Sequence, residues 1–79
     1  MKVLRVYSRE GCGLCEEMLA ELTPWAGAQG VPVEVVDVDD DPTLARRYGL
    51  KVPVLEWDGE TVCFGCLDWA ALRSLCRPG

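Results

Sequence analysis

Lys2-Val3-Leu4-Arg5-Val6-Tyr7-Ser8-Arg9-Glu10-Gly11-Cys12-Gly13-Leu14-Cys15 is the stretch on which the fold turns. Residues 2–8 form a near-continuous apolar run with β-branched and aromatic members, which reads as a central strand. Residues 8–11 form a loop. From Cys12 the spacing changes to that of a helix, with Leu14, Met18, Leu22 and Trp25 on one face and Cys15 and Leu19 beside them. Two thiols three positions apart at a helix start can close a small disulfide ring or share a metal. The unpaired N–H groups of the first helical turn favour an anion there, and the thiolate is the reactive form of cysteine.

Downstream of the motif, Pro24 ends this helix near Thr23 or kinks it, and Gly27 and Gly30 close the element. Residues 31–38, Val-Pro-Val-Glu-Val-Val-Asp-Val, read as a second strand, and Pro32 places it at a sheet edge. Strand, helix, strand implies a right-handed crossover and a parallel pair. Asp41-Pro42 reads as a helix N-cap followed by proline at the first helical position. Leu44 and Tyr48 share a face of that short helix, and Gly49 stops it. A third strand opens at Val52-Pro53. Asp58-Gly59 between two apolar runs signals a hairpin into residues 60–64. A last helix begins at Asp68 or a neighbour, with Trp69, Leu72 and Leu75 or Cys76 inward, and Arg77-Pro78-Gly79 ends it.

Composition narrows the function classes. The 79 residues suit a single domain spanning 1–79, and a hydrophobic share of 49% suits a packed globule over a disordered segment. No apolar run approaches the ~20 residues that cross a bilayer. The N-terminal run reads as a strand, not a signal peptide, so a cytoplasmic monomer without membrane association is expected. Five cysteines, an odd number, argue against a disulfide scaffold in that compartment. The net charge is −5, with acids concentrated at Asp37, Asp39, Asp40 and Asp41, and basic residues form no stripe for a phosphate backbone. Nucleic acid is therefore not an expected partner. The absence of histidine removes a Cys–His pair, a histidine base and imidazole metal ligands.

The order βαβ, short helix, hairpin, closing helix, with Cys-x-x-Cys after the first strand and Val52-Pro53 opening the third, resembles the thioredoxin fold in its minimal, glutaredoxin-like form. That form is an α/β domain, β-α-β-α-β-β-α, with a four-stranded mixed sheet and helices on both faces. The runs Tyr7-Ser8-Arg9-Glu10-Gly11-Cys12-Gly13-Leu14-Cys15-Glu16-Glu17 and Tyr48-Gly49-Leu50-Lys51-Val52-Pro53-Val54 resemble a group of small bacterial glutaredoxin-like proteins.

The resemblance implies a thiol–disulfide oxidoreductase acting on protein or low-molecular-weight disulfides. Cys12 would be the nucleophile and Cys15 the resolving thiol. Arg9 occupies the place of a basic residue near a glutathione carboxylate, and with the helix start it would favour the Cys12 anion, while Glu16 and Glu17 oppose it. Val52-Pro53 matches a cis-proline step whose preceding backbone pairs with an extended substrate. Gly65-Cys66-Leu67-Asp68 resembles the turn that receives the γ-glutamyl end of glutathione, with Asp68 near its ammonium. Gly13 and Leu14 complete the implied substrate groove. No cofactor is expected to be tightly bound, and glutathione is implied as a co-substrate. The implied partners are a disulfide-containing protein or small thiol, and a reductase or glutathione as electron donor. Two departures stand out. Phe64 replaces the first of two glycines common before the last helix, and the motif interior is Gly-Leu in place of the Pro-aromatic pair.

The alternative use of the same thiols is an iron–sulfur or zinc carrier or a binding module. Cys63-Phe64-Gly65-Cys66 is a second Cys-x-x-Cys. It reads either as half of a four-thiolate site with Cys12 and Cys15 or as a strand cysteine packed as a small apolar residue, with Cys66 on a loop near the groove. The second of these is the simpler reading, and Cys76 reads as packing. Trp25, Trp57 and Trp69 read as core and shoulder residues, Trp57 being the exposed one. The Asp37–Asp41 acids read as a solvated loop, and Arg46 and Arg47 as the outer face of the short helix.

Overall fold

The computed structural model describes residues 2–75. Strand β1 (Leu4–Ser8) is followed by helix α1 (Gly13–Gln29), strand β2 (Val33–Asp37), a single 3-10 turn (Val38–Asp40) and helix α2 (Pro42–Tyr48). Strands β3 (Val54–Trp57) and β4 (Glu60–Phe64) form a hairpin, and helix α3 (Trp69–Leu75) closes the described chain. The sheet order is β2-β1-β3-β4. β1 pairs parallel with β2 and antiparallel with β3, and β3 pairs antiparallel with β4. The expected central first strand, edge second strand and mixed sheet are all present.

Side-chain alternation along β1 and β3 divides the interior into two cores. Leu4, Val6, Leu55 and Trp57 pack with Met18, Leu22 and Ala26 of α1 and Leu72 of α3. Tyr7 and Val54, on the opposite face, pack with Val38 and with Tyr48 of α2. Helices therefore cover both faces of the sheet. Among the described residues no helix is long and apolar enough to cross a membrane.

Three expectations about these elements need correction. Of the two alternatives for Pro24, the ending near Thr23 does not occur: α1 runs through Pro24 to Gln29, Gly27 lies inside it, and Gly30 closes it as expected. Pro24 and Ala20, whose carbonyl loses its helical donor at Pro24, are both exposed, so water can take that carbonyl. Gly30 adopts the left-handed conformation, φ 70°, and its N–H bonds back to Ala26 and Gly27, a glycine C-cap. Second, the buried stripe of α1 is Cys15, Met18, Leu22 and Ala26, so Trp25 is only half-buried and Leu14 is 52% exposed. The helix turns toward the sheet a face that begins and ends one position later than the apolar spacing suggests. Third, Trp57 is buried, because β3 runs between β1 and β4 and Trp57 lies opposite Leu4 on the core face.

Smaller boundary differences also follow from pairing. β2 starts at Val33, but the Pro32 carbonyl already accepts from Leu4 N–H at 3.0 Å. β3 starts at Val54, two residues after the expected opening. Asp58 and Gly59 both have positive φ, 52° and 83°, as a two-residue hairpin turn demands. Asp41 caps α2, accepting from Thr43 N–H at 2.8 Å, with Pro42 at the first position. Arg46 and Arg47 are exposed, as expected. Cys76 and residues 77–79 lie outside the described residues.

Candidate active site

Cys12 is the N-cap of α1, in extended backbone conformation, so its side chain stands at the open end of a helix of 17 residues. Its sulfur accepts the Cys15 N–H at 3.2 Å. Cys12 is half-exposed, whereas Cys15, one turn inside, is only 2% exposed and faces the core stripe. Both thiols are free. Burial pushes the Cys15 thiol up to about 11, and its hydrogen bond with Cys12 pushes the same way. The pair thus consists of a half-exposed cysteine whose sulfur is held by a backbone donor and a buried, protonated partner beneath it.

A labelling experiment separates the two. Iodoacetamide at neutral pH should modify Cys12 and spare Cys15, with Cys15 labelling rising only as pH approaches about 11. Because Cys15 ionises later in the folded chain than in the unfolded one, stability should also fall as pH rises from the ordinary thiol range through about 11. Peptide mapping checks the first statement, and equal labelling of both cysteines at neutral pH would contradict it.

The loop ahead of Cys12 is fixed by Arg9. Its guanidinium donates twice to Asp39, from Nε and Nη2 at 3.0 Å each, and from Nη1 to the Gly49 carbonyl at 3.2 Å. The Arg9 carbonyl accepts Cys12 N–H at 3.2 Å. One residue therefore links the dithiol loop, the 3-10 turn and the end of α2. Gly49 is required at this junction: a Cβ there would collide with the Ala45 carbonyl and come within 2.9 Å of Arg9 Nη2. Asp39 and Gly49 are not legible in the sequence as site residues. They meet Arg9 at sequence separations of 30 and 40, and Asp39 reads as one more solvated acid.

Val52-Pro53 is a cis peptide bond, as the resemblance implies. Val52 is half-buried against the α2 core, and the Pro53 carbonyl accepts Gly65 N–H at 2.8 Å. Gly65 takes φ +81°, which a side chain would resist. Leu14, Gly65 and Cys66 share the wall of a cleft of about 310 Å³ with Glu17, Met18 and Trp69. The structure therefore brings Leu14 of the motif to the Gly65-Cys66 turn, and that turn to Pro53.

Other expected site residues are placed differently. Gly13 is exposed and has open space where a Cβ would be. Asp68 caps α3, accepting from Ala71 N–H at 3.0 Å. Phe64 is 57% exposed, with Lys51 Nζ 5.6 Å from its ring centre. Among the described residues no group of three or more His, Cys, Asp or Glu is placed to hold a metal ion, so the two Cys-x-x-Cys segments do not converge on one four-thiolate centre.

One buried network lies behind the site. Glu56, 8% exposed, accepts from the Tyr7 hydroxyl at 3.1 Å and from the Tyr48 hydroxyl at 3.2 Å. The two rings stack with centroids 4.3 Å apart. Burial first, and then the Glu56 charge, hold the Tyr48 phenol above its ordinary range. Tyr48 ends α2, so this network fixes the start of the loop that leads to Pro53.

This architecture is that of a thioredoxin-fold domain carrying a paired-thiol site of the kind that supports thiol redox chemistry. The chain belongs to a specific family within that class, the Glutaredoxin-like domain (DUF836), which matches residues 3–76. Among proteins with curated descriptions, none matches the chain. Among solved structures, it is similar to protein Ne2328 from Nitrosomonas europaea, determined by solution NMR, with 35% identity over 96% of this chain and 92% of that one and a TM-score of 0.84. It is also similar to protein XcR50 from X. campestris, with 30% identity over 91% of this chain and 92% of that one and a TM-score of 0.63. A mutant thioredoxin from Halobacterium salinarum shares 33% identity over 94% of this chain and 70% of its own, with a TM-score of 0.66.

Proposed function

We propose that the protein is a thiol–disulfide oxidoreductase in which Cys12 attacks and Cys15 resolves. The observation that carries this reading is Cys12, half-exposed at the start of α1, with its sulfur held by the N–H of a buried Cys15. In the first step the Cys12 thiolate bonds to one sulfur of a substrate disulfide. The substrate S–S bond breaks, and its other sulfur leaves and takes up a proton. In the second step Cys15 gives up its proton and bonds to the Cys12 sulfur, releasing the remaining substrate thiol. The substrate gains two electrons, Cys12 and Cys15 lose two, and an external reductant restores them.

The substrate favoured by the surroundings is a disulfide on an extended protein segment. The resemblance places the backbone of Val52, ahead of Pro53, where such a segment would pair strand to strand. Glutathione enters as the weaker donor for two reasons. Arg9, the cation offered to its carboxylate, is committed to Asp39, and the exposed Phe64 stands beside the turn that would receive its backbone. The test follows NADPH consumption with a protein disulfide as substrate, using thioredoxin reductase in one arm and glutathione with its reductase in the other. The expected result is turnover in the first arm and slower turnover in the second. Turnover in neither would overturn the proposal.

A further inference from the structure

We infer that Cys63 and Cys66 form a second disulfide-forming couple, chemically separate from Cys12 and Cys15, that low-molecular-weight disulfides oxidise. Each side chain's face of the sheet decides what it can meet. Cys63 lies opposite Leu55 in the hairpin and packs against the core between the sheet and α1. Phe64, the next residue, lies opposite Val54 and belongs to the other face. Gly65 then turns the chain with φ +81°, its N–H anchored on the Pro53 carbonyl. That turn returns Cys66 to the α1 side, where it lines the cleft with Met18, a residue of the core against which Cys63 packs. Two thiols three residues apart thus stand on one side of one turn.

Their exposures repeat the division of labour seen at Cys12 and Cys15. Cys66 is exposed and Cys63 half-buried, and both are free. Burial is the main cause that keeps the Cys63 thiol above its ordinary range, and the charges of Asp68 and then Cys66 push the same way. The Cys66 thiolate attacks one sulfur of a small disulfide, and the displaced thiolate takes up a proton. Cys63 then gives up its proton and bonds to the Cys66 sulfur, displacing the second small thiol. One disulfide is formed, one is reduced, and two small thiols are released. Oxidation removes the Cys66 thiol from a cleft that Leu14 of the first pair's motif also lines.

Tryptic cleavage isolates the two couples. Cutting after Lys51 and Arg73 places Cys63 and Cys66 on one peptide, while cutting after Arg9 and Arg46 places Cys12 and Cys15 on another. The reduced, unmodified protein is treated with oxidised glutathione, alkylated, digested and weighed. The expected result is that peptide 52–73 loses two hydrogens and takes up no alkylating agent. In Cys63→Ser the same peptide should instead hold one glutathione on Cys66. A glutathione adduct that persists on Cys66 with Cys63 intact, or two alkylated cysteines on that peptide, overturns the inference. Peptide 10–46 reports the Cys12–Cys15 couple independently, so failure of one couple is distinguished from failure of the other.

Discussion

Cys15→Ser should yield a protein that captures a disulfide substrate and holds it, while Cys12→Ser should hold no lasting complex. Both variants should lose turnover by about a hundredfold or more, because each removes one of two obligatory bond-forming sulfurs. What separates them is the trapped species. With Cys12 intact, half-exposed and held by the residue 15 N–H, the first exchange still proceeds and stops at a mixed disulfide. With Cys12 gone, Cys15 is too buried to take its place. Non-reducing electrophoresis with a protein disulfide reads the difference as a covalent complex in Cys15→Ser alone. A complex of similar yield in Cys12→Ser would show that another thiol is the nucleophile.

Glu56→Ala should be strongly destabilising. Glu56 accepts two tyrosine hydroxyls in a buried site, and truncation leaves both donors without their partner. Hydrogen bonds to a charged acceptor contribute roughly 1.5–3 kcal/mol, and each stranded buried group costs about 1–3 kcal/mol. A loss of about 3 kcal/mol is expected, which for a domain of this size lowers Tm by roughly 12–24 °C. Glu56→Gln keeps an acceptor oxygen in place and should lose roughly 1 kcal/mol. Thermal unfolding of the two variants checks the order. Equal stability of Glu56→Ala and the parent chain would show that the Tyr7–Glu56–Tyr48 network carries no stabilisation.

The contrast between these two regions explains what can be read from the sequence. The dithiol announces itself locally: a strand, a four-residue loop and two cysteines three apart at a helix start. The hairpin is equally local, since Asp58-Gly59 between apolar runs has few other uses. Proline placement marks the edge strand through Pro32 and the start of α2 through Asp41-Pro42. The relations that hold the site in place are long-range and carry no such mark. Arg9 reads as a partner for a substrate carboxylate because its internal partner, Asp39, lies 30 residues away in a run of similar acids. Glu56 carries no local mark of its role. It is buried because β3 is flanked by β1 and β4 and because two tyrosines from β1 and α2 meet it. Trp57 reads as a surface residue for its closeness to a turn, but its neighbour across the sheet, Leu4, belongs to the main core. In each case the chemistry fits the residue type, and what the sequence withholds is the spatial partner.

The proposed function requires that Cys12 and Cys15 bond reversibly with each other. A titration of the protein against dithiothreitol buffers of stepped potential, quenched with an alkylating agent and digested with trypsin, follows that bond on peptide 10–46 alone. The expected result is a single reversible two-electron transition in which both cysteines on that peptide lose their thiols together and recover them together. Cysteines 12 and 15 alkylated at every potential, or changing independently of one another, would contradict it.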